Sequence, residues 1–160
     1  MSNYIRPRIP GASIFFTVRL APRTAPILTD HIDHLRMAVR LTKNDHPFAI
    51  DAWVVLPDHI HAVWTMPERD CDYSKRWSVI KARFSREVGV GHRRASHFVR
   101  RERGIWQRRF WEHHLRTETD RANAIRYCLN NPVKHGLVLD PSKWPYSSIH
   151  RDMRNRQNAA

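Results

Sequence analysis

The chain has 160 residues, 41% of them apolar, and carries 28 Lys plus Arg against 15 Asp plus Glu, a formal net charge of +13. At this length one domain with a packed interior is expected, which excludes disorder throughout, and the cationic excess points to a polyanionic partner. No apolar run approaches the roughly 18 residues of a membrane span, five glycines are too few and scattered for a phosphate-cradling loop or dinucleotide fingerprint, and Cys71 and Cys128 form no C-x-x-C pair, so a reducing cytoplasm is the expected setting.

Ser13 to Leu20 is aromatic and β-branched between Pro10-Gly11 and Pro22, and predicts a first strand. Thr29 and Asp30 are N-cap candidates for a helix with Ile32, Leu35 and Val39 on one face, ending near Asn44 before Pro47. Phe48 to Leu56 and His59 to Met66 predict two strands joined by the turn dipeptide Pro57-Asp58, an antiparallel hairpin. From Ser74, a second N-cap candidate, Trp77, Ile80, Phe84 and Val88 recur at helical spacing, with Lys75, Arg76, Lys81, Arg83 and Arg86 around the other faces. Residues 89 to 104 hold three of the five glycines and a dense Arg run, and read as a solvated loop. Ile105 to Leu115 predicts a fourth strand. A last helix runs from Thr119 or Asp120 to about Asn131, where Pro132 ends it. Residues 1–150 then form one domain and 151–160 a polar tail.

The order strand, helix, strand, strand, helix, strand is the βαββαβ pattern of an α+β, ferredoxin-like antiparallel sheet with helices on one face, plus one extra helix. Along the third strand Ile60, Ala62, Trp64 and Met66 alternate with His59, His61, Val63 and Thr65. The first set is expected to meet the helices, leaving both histidines on the open face.

His59 and His61, two apart on a strand, can reach one divalent ion, although this spacing also suits two histidines satisfied by neighbours or water. Tyr127 and Asn131 share one face of the last helix. If that helix crosses the open face, an ion on the two histidines gains an oxygen ligand from Asn131 and lies beside the Tyr127 hydroxyl, the arrangement that phosphoryl transfer needs. Otherwise Tyr127 is a packing aromatic and Asn131 a helix-terminal residue. Of the 28 cations, 18 lie in residues 81–160, and 23 of the 28 are Arg, whose planar fork suits phosphate and base edges. Residues 81–109 alone carry a local charge of +8, and Trp106 and Trp111 flank Arg108 and Arg109. Arginine interleaved with aromatic rings suits unpaired nucleic acid, so Lys81, Arg83, Trp106, Arg108, Arg109, Arg126, Lys134 and His135 are the candidate DNA contacts.

Four blocks carry a more specific signal: Leu56-Pro57-Asp58-His59-Ile60-His61, Ile105 through His114 (IWQRRFWEHH), Tyr127 through Val138 (YCLNNPVKHGLV) and Trp144-Pro145-Tyr146-Ser147-Ser148. Together, and in this order, they resemble the REP-associated tyrosine transposases, a branch of the single-tyrosine HUH transposases. The resemblance implies a ferredoxin-like domain that cleaves and rejoins single-stranded DNA beside hairpin-forming palindromic repeats. It implies Tyr127 as the nucleophile, His59, His61 and Asn131 as ligands of Mg²⁺ or Mn²⁺, and a monomer acting on bacterial DNA in the cytoplasm. Asp58 departs from the Asn common before the first histidine, and could tune the metal site through an outer hydrogen bond. A non-catalytic, RRM-like module holding single strands explains the charge and the aromatics equally well, but gives no role to the coincidence of His59, His61, Tyr127 and Asn131.

Overall fold

The computed structural model describes residues 4–89 and 95–160. In chain order the elements are β1 (Ser13–Arg19), α1 (Ile32–Asp45), β2 (Ala49–Val55), β3 (His59–Thr65), α2 (Tyr73–Val88), α3 (Ala95–Val99), β4 (Trp111–Leu115), α4 (Glu118–Lys134), a short 3-10 turn (Pro141–Lys143) and α5 (Ile149–Asn158). The four strands form one antiparallel sheet ordered β2-β3-β1-β4, the ferredoxin-like α+β arrangement expected from the element order. No helix among the described residues is long and apolar enough to cross a membrane.

Strand alternation assigns the two faces of the sheet. Ile14, Phe16 and Val18 of β1 and Ile60, Ala62 and Trp64 of β3 pack against Leu35 and Ala38 of α1 and Trp77, Ile80 and Phe84 of α2. Trp64 and Trp77 stack with ring centres 4.3 Å apart, and Phe16 packs on Trp64 at 4.8 Å. Because Trp77 is fully buried in this aromatic group, Trp77→Ala is expected to lower unfolding stability by about 3 to 5 kcal/mol, read as a drop in the denaturation midpoint at unchanged slope. The opposite face presents Phe15, Ala52, Val54 and Val63, and α4 covers it with Cys128, Ala124, Ile125 and Leu129.

Several local expectations change. The strand drawn from Ile105 to Leu115 is confined to β4. Residues 105–107 pair with the end of β1 through a single antiparallel bridge, Leu20 opposite Trp106, with Ala21 donating to the Ile105 carbonyl at 2.8 Å and Gln107 to that of Arg19 at 3.0 Å, and Phe110 packs against the core. Helix α2 is capped by Asp72, which accepts from the Lys75 amide, rather than by Ser74. Arg76, read as part of the basic exterior, is buried because its guanidinium pairs with Asp70 at 2.8 Å and donates to the carbonyls of His46, Pro47 and Asp72. Within the loop expected at 89–104, Ala95–Val99 is helical, and residues 90–94 lie outside the described set.

Helix α4 does not stop at Pro132 but runs on to Lys134, and the chain then turns at Gly136 (φ +69°), where the Leu137 amide reaches back to the Pro132 carbonyl at 2.9 Å. Near its start Arg121 pairs at 2.9 Å with Asp51, which lies in the irregular register between β2 and β3. Much of the stretch expected as a polar tail is the helix α5, and its Arg151 donates to the carbonyls of Ile50 and Asp51. Trp144 donates to the Val55 carbonyl and Val55 to that of Tyr146, so the segment before α5 covers the free edge of β2.

Candidate active site

Two elements build the site. Strand β3 places His59 and His61 on the same face, and α4 crosses that face so that Tyr127 and Asn131, one helical turn apart, lie over them. Both histidines are buried, with 3% and 4% of their surface exposed, Asn131 is buried with 1%, and Tyr127 is 44% exposed. The imidazole rings stand 4.9 Å apart nearly at right angles, and the Tyr127 ring meets that of His61 edge-on at 5.7 Å. Cys128, between Tyr127 and Asn131 in sequence, points its thiol at the His61 carbonyl and seals the helix onto the strand.

The ring nitrogens facing away from the site have partners. His59 Nδ1 donates to the Asp58 carboxylate at 2.6 Å, and His61 Nδ1 is bonded to the Thr17 hydroxyl at 2.9 Å. A carboxylate accepts only, so the proton of neutral His59 sits on Nδ1 and the Nε2 lone pair is free. Burial pushes the basicity of both rings down, for His59 against the opposing pull of Asp58, and His61 falls to about 3. Each imidazole is therefore a neutral donor at physiological pH. His59 Nε2 and both polar atoms of the Asn131 amide are buried without hydrogen-bond partners, a costly arrangement unless something else satisfies them. Two imidazole nitrogens and an amide oxygen are a donor set that suits a divalent ion.

Lys134 Nζ donates to the Tyr127 hydroxyl at 3.0 Å and lies 4.7 Å from the centre of that ring. This hydrogen bond is the largest influence holding the phenol below its ordinary range, which favours the phenolate. Removing the cation must raise the phenol again. For the strand cleavage expected from the sequence, Lys134→Ala should therefore move the alkaline-rising limb of the pH–rate profile to higher pH, with less activity near neutrality, whereas an unmoved limb would assign that ionisation to another group.

An open groove of about 530 Å³ leads to Tyr127 along Arg19, Thr17, Phe15, Trp111 and His113. Phe15 stacks on His61 at 5.5 Å and meets Trp111 and Tyr127 edge-on at 5.7 Å each, and Trp111, 57% exposed, stacks on His113. Of the two tryptophans that flank Arg108 and Arg109 in sequence, Trp111 is thus the exposed one beside the tyrosine, although only Trp106 is among the candidate DNA contacts. The signal was its pairing with Thr17, which puts it on the face of His61, but that register is a long-range property of the fold.

The candidate DNA contacts divide. Lys134 and His135 lie at the site, His135 with its ring 5.1 Å from that of His59, and Arg126 is exposed on α4, bonded to Asn123. The structure does not bring Lys81, Arg83 or Trp106 to the same face. Lys81 lies on α2, donates to the Gln107 carbonyl at 2.8 Å and is pushed down to about 8 by burial. Arg83 is engaged by Asp45 and Thr42. Trp106 packs against Phe84 with only 9% of its surface exposed, so it belongs to the core and offers no open ring for a base. Arg108 pairs with Glu102 and donates to Ser96, and Arg109 is exposed.

No family model matches the chain. A REP-associated tyrosine transposase of Escherichia coli (strain K12) is 44% identical over 153 residues, which span 96% of this chain and 86% of that protein. A putative REP-associated tyrosine transposase of Haemophilus influenzae (strain Rd) is 44% identical over 156 residues, covering 96% and 89%. Among solved structures, a REP-associated tyrosine transposase bound to a REP hairpin superposes with a TM-score of 0.85 at 44% identity, over 96% of this chain and 86% of that one.

Proposed function

Because the chain belongs to the REP-associated tyrosine transposases, we propose that it cleaves and rejoins single-stranded DNA at REP-type palindromic hairpins, with Tyr127 as the nucleophile. The observation that carries the reading is the convergence, on one side of α4, of the phenol oxygen, the unpartnered Asn131 amide and the free Nε2 of His59. A solved relative bound to a REP hairpin supports hairpin DNA as the partner.

In this reading the flanking strand lies in the groove beside Arg19, and an unpaired base stacks on the open ring of Trp111. Lys134 holds the Tyr127 oxygen by a hydrogen bond and favours loss of its proton to solvent. The phenolate oxygen attacks phosphorus, forming a 5′ phosphotyrosine, and the displaced 3′ oxygen takes up a proton. A returning 3′ hydroxyl reverses the step and reseals the strand, and the bond energy is conserved in the phosphotyrosine. His59, His61 and Asn131 would hold Mg²⁺ or Mn²⁺, which supplies the charge that polarises the scissile phosphate. Asp58 and Thr17 fix the two rings for that task. One chain supplies every group named, so a monomer suffices, and two free cysteines suit a cytoplasmic setting.

The test is a denaturing gel after mixing the protein with Mn²⁺ and a 5′- or 3′-labelled hairpin oligonucleotide carrying single-stranded flanks. A covalent protein–DNA band linked to the 5′ phosphate is expected. Tight hairpin binding without any adduct would instead favour a non-catalytic, RRM-like module. Asn131→Ala is expected to weaken Mn²⁺ binding and slow cleavage about tenfold or more, while Asn130→Ala, about 100° round the helix, leaves the metal midpoint unchanged. Titration of cleavage rate against Mn²⁺ compares the two.

A further inference from the structure

We propose that His135 is a third imidazole donor to the ion held by His59 and His61, and that the resulting nitrogen-rich set favours Mn²⁺, Co²⁺ and Zn²⁺ over Mg²⁺. The inference rests on the metal site just described and adds a ligand to it. The ligand nitrogens of His59, His61 and His135 all lie within 4.8 Å of one another. Two donors bound at about 2.1 Å stand about 3 to 4.2 Å apart around one ion, so closure asks for a sub-ångström to ångström-scale movement of the rings. The movement falls to His135, because the other two rings are buried while its own is exposed.

Its backbone is nevertheless fixed. His135 caps the C-terminus of α4, its amide donating to the Asn131 carbonyl at 3.0 Å, and Gly136 then takes the left-handed conformation that closes the helix. Only side-chain rotation remains to bring its nitrogen in. The position is one helical turn beyond Asn131, which is itself one turn beyond Tyr127, so a single stripe of α4 and its cap presents nucleophile, amide and imidazole in succession.

The chemistry follows from the donor count. With Asn131 Oδ1 the set is three nitrogens and one oxygen, which leaves two positions of an octahedral ion for phosphate oxygens. Mg²⁺ prefers oxygen ligands and retains its waters, whereas imidazole suits the later divalent ions.

The test uses the full chain without DNA. Mn²⁺ and Co²⁺ binding is measured by calorimetry for the wild type, His135→Ala, and His59→Ala or His61→Ala, and pulsed electron paramagnetic resonance counts the imidazole nitrogens bound to Mn²⁺. His135→Ala is expected to weaken Mn²⁺ and Co²⁺ about tenfold or more, to change Mg²⁺ affinity less than about twofold, and to reduce the nitrogen count from three to two. Unchanged affinity and count in His135→Ala, with loss in folded His59→Ala or His61→Ala, overturns the third ligand alone and frees His135 to touch phosphate. Unchanged affinity in all the folded variants overturns the metal site itself.

Discussion

Tyr127→Phe is expected to lower strand cleavage by about 10⁴-fold or more and to remove the covalent adduct, while hairpin affinity stays within a few-fold. The substitution deletes one oxygen and leaves the ring, so the edge-on contacts with Phe15 and His61 persist and α4 keeps its seat. What disappears is the atom that Lys134 holds at 3.0 Å. Gel shift and denaturing gel on the same hairpin separate the two properties. Cleavage that persists in the variant would place the nucleophile elsewhere, and the exposed Tyr4 would be the next phenol to examine.

The second large effect falls on His61. His61→Ala is expected to abolish detectable cleavage and to weaken Mn²⁺ binding by more than about tenfold, and chelation should silence the wild type in the same way. Full cleavage in excess chelator would refute a metal role. The burial that keeps this ring neutral also makes a prediction about the metal-free fold. With its folded value near 3 against an unfolded 6.5, the unfolded chain binds the proton more readily across that interval. Stability is therefore complete above about pH 6.5 and declines as pH falls toward 3, through a slope that His61→Ala lacks. Denaturation midpoints measured from pH 7 down to pH 4 in both proteins give the comparison.

The strand pair of histidines and the helical pair Tyr127 and Asn131 were the legible part of the site. A strand has period two, and on β3 the apolar residues Ile60, Ala62 and Trp64 had to meet the helices, which left His59 and His61 together on the other face. A helix has period 3.6, and this placed Asn131 with Tyr127. The fate of Pro132 was not legible, because a proline near a helix end can stop it or be carried through when packing holds the turn, and here Pro132 is buried. The partners of the basic residues were illegible for a different reason. Charge marks a residue as solvated or paired but does not name its partner, so Arg76, Arg83 and Lys81 look alike in sequence although they are spent on Asp70, on Asp45 and on a backbone carbonyl. Choosing Trp111 over Trp106 required the pairing of β4 with β1, which joins residues about a hundred positions apart. Asp58 was readable as an outer partner of the first histidine because it precedes it, and its carboxylate does bond His59.

Helix α4 carries Tyr127, Asn131, Lys134 and, at its cap, His135, whereas β3 carries only the two histidines. The Tyr127 phenol and the other groups contributed by the helix therefore move as one body, on a lever whose fixed points are the Arg121–Asp51 ion pair at one end and the buried Cys128 and Pro132 further along. A tilt that withdraws the phenol also withdraws the amide, so the two are engaged or disengaged in one stroke. The same rigidity sets an indexing rule for the helix. Removing one residue between Tyr127 and Asn131 would turn everything before the cut by about 100° relative to everything after it, so the four-residue interval tolerates changes of side chain far better than changes of length.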